Sequence, residues 1–130
     1  MPVTHRIIED LRLVVTTWVG DVTLEEARQH NEGLRKDPAF SADMRQLSDA
    51  RLARSQVTGD GIRGLARSSP FGPDARRAIL VSDDETFGVS RMYEAQATEA
   101  GTMAIFRDRD EALTWLGLSP EDIPEAEDEG

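Results

Sequence analysis

The 130-residue chain contains no cysteine, few aromatic residues and no long apolar run. The absence of cysteine excludes disulfides, thiolate nucleophiles and zinc–thiolate sites. No apolar stretch approaches the roughly 20 residues that a membrane-spanning helix needs. The N-terminal residues also lack the basic and apolar segments of a signal peptide. We therefore expect a cytoplasmic protein without an integral membrane segment.

Basic residues are scarce relative to acidic ones. Fifteen lysines and arginines stand against 25 aspartates and glutamates, which gives a formal net charge of −10. Because the phosphate backbone is bound mainly by Lys and Arg, nucleic acid is not an expected partner. The charge is uneven, however. Residues 45–77 hold seven arginines and three aspartates, a local charge of +4, whereas residues 121–130 hold six acids and no base.

Strand-like and helix-like patterns alternate along the chain. Apolar runs at residues 5–11 and 13–19 predict two strands that form a hairpin turning near Glu9, with the second strand ending at Gly20. Thr23 and Glu26 have the spacing of a capping box, which predicts a helix over residues 24–36. Further strands are expected at residues 44–48, 76–82 and 102–106. Residues 49–57 are polar and predict a loop.

Three more helices complete the pattern. Their predicted starts are Thr58, the acidic residues 83–85 and Asp108. The order β-β-α-β-α-β-α-β-α predicts an α/β fold with a five-stranded, mostly parallel sheet, an N-terminal hairpin-like strand pair and four helices. We expect one domain over residues 1–118, followed by an acidic, disordered tail over residues 119–130.

No pattern of residues predicts catalysis, a cofactor or a metal site. Gly59, Gly61 and Gly64 match the spacing of a dinucleotide-binding turn, but the residues before them make a poor buried strand, so the match is weak. His5 and His30 show neither triad-like nor metal-ligand spacing and are interpreted as ordinary surface or half-buried residues. The sequence therefore predicts a protein that is not an enzyme.

Several short motifs occur in an order that resembles the SpoIIAA-like family, relatives of the STAS domains of anti-sigma-factor antagonists. They lie at residues 15–23, 37–40, 47–49, 77–82, 87–94 and 106–116. The resemblance implies the fold and a bacterial protein. STAS antagonists carry a phosphorylated serine directly after the aspartate that ends the third strand. Here Asp49 is followed by Ala50, and only Ser55 and Thr58 lie nearby.

The resemblance and the local excess of arginine predict a regulatory or protein-interaction module. Its expected interaction or anion-binding face consists of Asp49, Arg51, Arg54, Ser55, Thr58, Arg63 and Arg67. An alternative is a carrier or sensor of a small apolar or anionic ligand, bound between the glycine-rich helix and the sheet. The arginines also fit a simpler interpretation as surface charge that aids solubility. The expected partner is a protein or a small ligand, and a homodimer is possible.

Overall fold

A computed structural model describes residues 3–55, 69–72, 74–82 and 102–123. In these ranges the strands are β1 (Val3–Ile8), β2 (Leu13–Val22), β3 (Arg45–Ser55), β4 (Arg76–Leu80) and β5 (Thr102–Phe106). The α-helices are α1 (Leu24–Lys36) and α2 (Arg109–Trp115), and short 3-10 helices span Glu9–Leu11 and Pro120–Asp122. The helices predicted after Thr58 and after residues 83–85 lie outside the described residues.

The five strands form one sheet in the order β1-β2-β3-β4-β5. β1 pairs antiparallel with β2, while β2, β3, β4 and β5 pair in parallel. The chain turns between β1 and β2 through the 3-10 helix Glu9–Leu11 and then through Arg12 in the left-handed region, with φ 48°. The predicted N-terminal strand pair and the five-stranded, mostly parallel sheet are both confirmed.

The start of α1 follows the predicted capping box. The Thr23 hydroxyl accepts a hydrogen bond from the Glu26 backbone N–H at 3.1 Å, and the Glu26 carboxylate accepts one from the Thr23 N–H at 3.0 Å. Val22 and Ala27, on either side of this cap, share a small apolar cluster with Val3. The helix therefore begins and ends as its sequence predicts.

Successive side chains of a strand point to opposite sides of the sheet. The consecutive apolar residues of β2 therefore contribute to a core on each face. On one face, Leu13 and Val15 pack with Ala112 and Leu113 of α2. On the other face, Val14 packs with Leu34 of α1 and with further apolar residues, namely Met44, Phe71 and Ala75. The two described helices thus lie on opposite faces of the sheet.

The loop predicted over residues 49–57 is wrong for most of its length, because β3 continues to Ser55. Its added residues pair with the end of β2, where Val19, Gly20, Asp21 and Val22 face Leu52, Ala53, Arg54 and Ser55. Gly20 therefore does not end β2 as predicted. A register shift between Thr17 and Val19 absorbs one extra residue of β3, which is the pattern of a β-bulge.

The described core extends past the predicted domain boundary at Leu118. Ser119 caps the 3-10 helix Pro120–Asp122, and Ile123 is 0% exposed within the cluster under α2. The Arg109 guanidinium donates a hydrogen bond to the Ile123 carbonyl. Residues 124–130 lie outside the described ranges.

Candidate functional site

The predicted interaction face is only partly within the described structure. Asp49, Arg51, Arg54 and Ser55 all lie on β3, where the backbones of Arg54 and Ser55 pair with Asp21 and Val22. Three further residues of the predicted face lie outside the described ranges, namely Thr58, Arg63 and Arg67. The described part of the predicted face is thus the C-terminal part of β3.

Asp49 and Arg51 form an ion pair on β3. The Arg51 Nε and Nη2 atoms donate to the two Asp49 carboxylate oxygens at 3.0 and 2.8 Å. The Arg51 backbone N–H also donates to Asp49 at 3.1 Å, and the Arg51 carbonyl accepts from the Ser82 hydroxyl at 2.7 Å. A bidentate contact of this kind fixes the guanidinium and balances its charge.

Two large apolar side chains are exposed beside this ion pair. Val19 is 46% exposed and Leu52 is 71% exposed, and the two residues are register partners on β2 and β3. They are the exposed large hydrophobic side chains among the described residues. β4 pairs with β3 only from Gln46 to Asp49, so Val19 and Leu52 lie where the described sheet has narrowed to two strands. We call them the Val19–Leu52 pair.

The two histidines of the chain meet across β1 and α1. His5 Nδ1 lies 3.1 Å from His30 Nε2, and His5 Nε2 lies 3.0 Å from the Asp37 carboxylate just after α1. The two imidazole rings are arranged edge to face, with their centroids 5.1 Å apart. The sequence interpretation of both histidines as ordinary surface or half-buried residues did not predict that their rings meet. A usable signal was present, because His30 follows Ala27 and precedes Leu34 at the spacing of the buried helix stripe.

The hydrogen bonds determine where the protons lie when both imidazole rings are neutral and Asp37 is ionised. Because ionised Asp37 can only accept, His5 Nε2 carries a proton and His5 Nδ1 is left as the acceptor. His30 Nε2 then donates to His5, and His30 Nδ1 keeps a bare lone pair. That Nδ1 atom is buried and has no hydrogen-bond partner within the described structure.

Burial and the neighbouring imidazole make His30 hard to protonate. Desolvation, followed by the charge of His5, lowers the pKa of His30 from 6.5 to about 4. The hydrogen bond from His5 is the main reason that the pKa of Asp37 is lowered. The Trp18 ring lies 6.4 Å from that of His30, and its indole N–H donates to the Ser48 hydroxyl at 2.7 Å.

Arg77 is a second buried polar group that the sequence did not predict. It belongs to the arginine-rich stretch that was interpreted as surface charge, yet it is 1% exposed. Its Nη1 donates to the Ser69 hydroxyl at 2.9 Å, and its guanidinium lies 5.7 Å from the centre of the Phe71 ring. Neighbouring Arg76 is exposed and lies over Trp115 at 5.5 Å. The two side chains point to opposite faces of β4, so adjacent arginines have different surroundings.

The described ranges show no group of three or more acidic or histidine side chains that could hold a metal ion. Within the same ranges, no helix has the length and apolar character required to cross a membrane. The glycine-rich helix expected to hold a small ligand lies outside them.

The fold is similar to that of a known structure. That structure is an uncharacterised protein of the DUF3478 family with a SpoIIAA-like fold, from Shewanella loihica PV-4. The TM-score is 0.60 at 20% sequence identity, over 88% of this chain and 93% of the other. No family model and no curated protein matches the chain. The predicted resemblance is therefore confirmed as a SpoIIAA-like fold.

Proposed function

We propose that this chain is a non-enzymatic regulatory module that binds a protein partner at the Val19–Leu52 pair. The observation that carries the proposal is the pairing in register of two large exposed apolar side chains at the end of β2 and β3. Scattered single apolar residues are ordinary on a protein surface, whereas contiguous exposed apolar patches mark interaction sites.

The charged residues beside the Val19–Leu52 pair fit this proposal. Asp49 and Arg51 neutralise each other through two side-chain hydrogen bonds. A partner that covers them does not leave an unpaired charge in the interface, which would be costly. The expected contact is an apolar side chain of the partner, surrounded by polar groups at the rim.

The histidine cluster supports the non-enzymatic part of the proposal. His5 uses both ring nitrogens for His30 and Asp37, and the Nδ1 atom of His30 is buried. A general base must reach the proton that it removes. The nearby Thr16 hydroxyl accepts from Gln46 at 2.9 Å, and the Ser48 hydroxyl accepts from Trp18. This arrangement favours a structural role for the imidazoles.

Site-specific photocrosslinking in cells tests the interaction surface. A photoreactive residue in place of Leu52 should form a defined crosslinked product, and the same residue in place of exposed Thr114 on α2 should not. Adding Val19→Asp to the position 52 variant should remove the product, because a carboxylate would have to be desolvated in the interface. Equal crosslinking at both positions, or no effect of Val19→Asp, would contradict the proposal.

The mass of the crosslinked product shows whether the partner is a second copy of this chain or a different protein. A product of twice the chain's mass, together with self-association of the purified protein that Leu52→Asp abolishes, would make the partner a second copy. A product of another mass would make it a different protein. Circular dichroism of each variant checks that the fold is retained.

A further inference from the structure

We infer that the Asp37–His5–His30 cluster is a proton-operated latch that holds α1 against the edge strand β1 and weakens when the cluster takes up a proton. The cluster is defined by three side chains that the fold brings together from β1, α1 and the segment after α1. The inference concerns the internal stability of the domain and is independent of the proposed interaction surface.

The latch occupies the middle of the contact between β1 and α1. Val3 packs with Ala27 at one end of this contact, and Ile7 packs against the cluster that contains Leu34 at the other. His5 lies between Val3 and Ile7 on the same face of β1, and His30 lies between Ala27 and Leu34. The interface is therefore apolar at both ends and titratable at its centre.

Adding a proton to either ring leaves a buried N–H without an acceptor on His30 or breaks the hydrogen bond between the two rings. A proton on His30 Nδ1 creates a buried N–H with no acceptor in the described structure. A proton on His5 Nδ1 makes that atom a donor, so His30 must move its own proton from Nε2 to the buried Nδ1 or lose the bond. With both rings charged, two N–H groups face each other and repel.

Three side chains of the described structure bear on the charge of the pair, namely Asp37, Glu26 and Trp18. Asp37 accepts a hydrogen bond from His5 Nε2. Glu26, one turn before His30 on α1, is held by the Thr23 backbone N–H. The side chain that β2 places against His30 is Trp18, which is uncharged. These contacts make His30 the ring on which a charge is least favourable.

The direction of the pH dependence follows from the pKa of His30. Its folded-state pKa, about 4, lies below the ordinary value of 6.5, so the unfolded chain binds this proton more readily than the folded one. The stability that the neutral ring contributes is complete above pH 6.5 and is lost as the pH falls towards 4. The pKa of Asp37 is lowered as well, so its contribution is lost only in more acidic solution.

Hydrogen exchange and NMR titration of the wild-type chain test the latch directly. The ring signal of His30 should titrate near pH 4. After correction for intrinsic rates, exchange in α1 should rise at least about tenfold relative to residues 78–81 between pH 6.5 and pH 4. Titration of His30 near 6.5, or an α1 exchange rate independent of pH, would overturn the inference. An equal rise in residues 78–81 would also overturn it, because it would indicate global unfolding.

Two variants separate the latch from ordinary acid sensitivity. His30→Gln keeps an amide that can hydrogen-bond but cannot titrate, so the pH response of α1 should disappear. Adding Gln29→His to the His30→Gln variant places an imidazole at the preceding, exposed position. This second substitution should not restore the pH response of α1. A response that survives His30→Gln would count against the latch. If His30→Gln does not fold, the wild-type titration and exchange decide alone.

Discussion

At the scale of single residues, backbone conformation and burial decide what each side chain does. Gly20 adopts φ +69° within β2, a conformation that L side chains rarely adopt, although a Cβ there would meet no atom within 4 Å. Gly33 lies in α1, and a Cβ there would also meet open space. The two glycines thus differ in backbone conformation and not in the space available for a side chain.

Alanine substitution at these two glycines should have opposite effects. Gly20→Ala should lower the free energy of unfolding by about 1 kcal/mol because it forces a side chain into the left-handed region. Gly33→Ala should raise it by about 0.5–1 kcal/mol because alanine favours the helix. Urea denaturation followed by circular dichroism measures both. A shift of the same sign in both variants would contradict this explanation.

At the scale of secondary-structure elements, local signals were sufficient for α1 but not for β3. The capping box and the breaker at Asp37–Pro38 are local in the chain, and α1 spans the predicted residues. β3 continues through a polar, arginine-rich segment because the end of β2 supplies backbone partners for it. Strand formation depends on a neighbouring strand, which is often distant in the sequence.

The cap of α1 provides a test at this scale. Thr23→Ala should cost about 1 kcal/mol of unfolding free energy, because it leaves the Glu26 backbone N–H without its side-chain acceptor. The matched control is Thr114→Ala at an exposed position inside α2, which should be neutral or slightly stabilising since alanine has the higher helix propensity. Urea midpoints of the two variants compare them directly, and equal losses would mean that the Thr23 hydroxyl does not act as a cap.

At the scale of the whole molecule, the chain closes its core with a residue from the predicted tail. Ile123 is buried under α2 beside Leu113 and Leu116, and its carbonyl accepts from Arg109. The predicted acidic tail therefore contains one buried apolar residue that belongs to the core. The structured part of the molecule reaches beyond Leu118 for this reason.

Two truncations test where the folded unit ends. Removing residues 124–130 should leave the melting temperature nearly unchanged, whereas removing residues 119–130 should lower it clearly. Full burial of an isoleucine side chain contributes roughly 1.5–3 kcal/mol, and the loss of the Arg109 contact adds to this. Differential scanning calorimetry of the two truncated chains and the full chain measures the effect. Equal melting temperatures for both truncations would show that Ile123 does not anchor the fold.

The sequence by itself determined the fold class, the N-terminal strand pair with a five-stranded, mostly parallel sheet, and the bounds of α1 and β5. These features depend on apolar periodicity and on capping residues, which are interactions between neighbours in the chain. Asp49 and Arg51 also stood out in the sequence as charged residues after a strand, whereas Val19 and Leu52 did not. The direct pairing of Asp49 and Arg51, two residues apart on β3, required the structure.

The tertiary structure alone decided which distant residues meet. The Val19–Leu52 pair exists because β2 and β3 continue beyond the point where β4 stops pairing. His5 and His30 are 25 positions apart, and only the packing of α1 on β1 brings their rings together. Arg76 and Arg77 are adjacent in the chain but point to opposite faces of β4, where Arg76 is exposed beside Trp115 and Arg77 is buried beside Phe71. Contacts of this kind depend on register and on helix placement, which local sequence patterns do not encode.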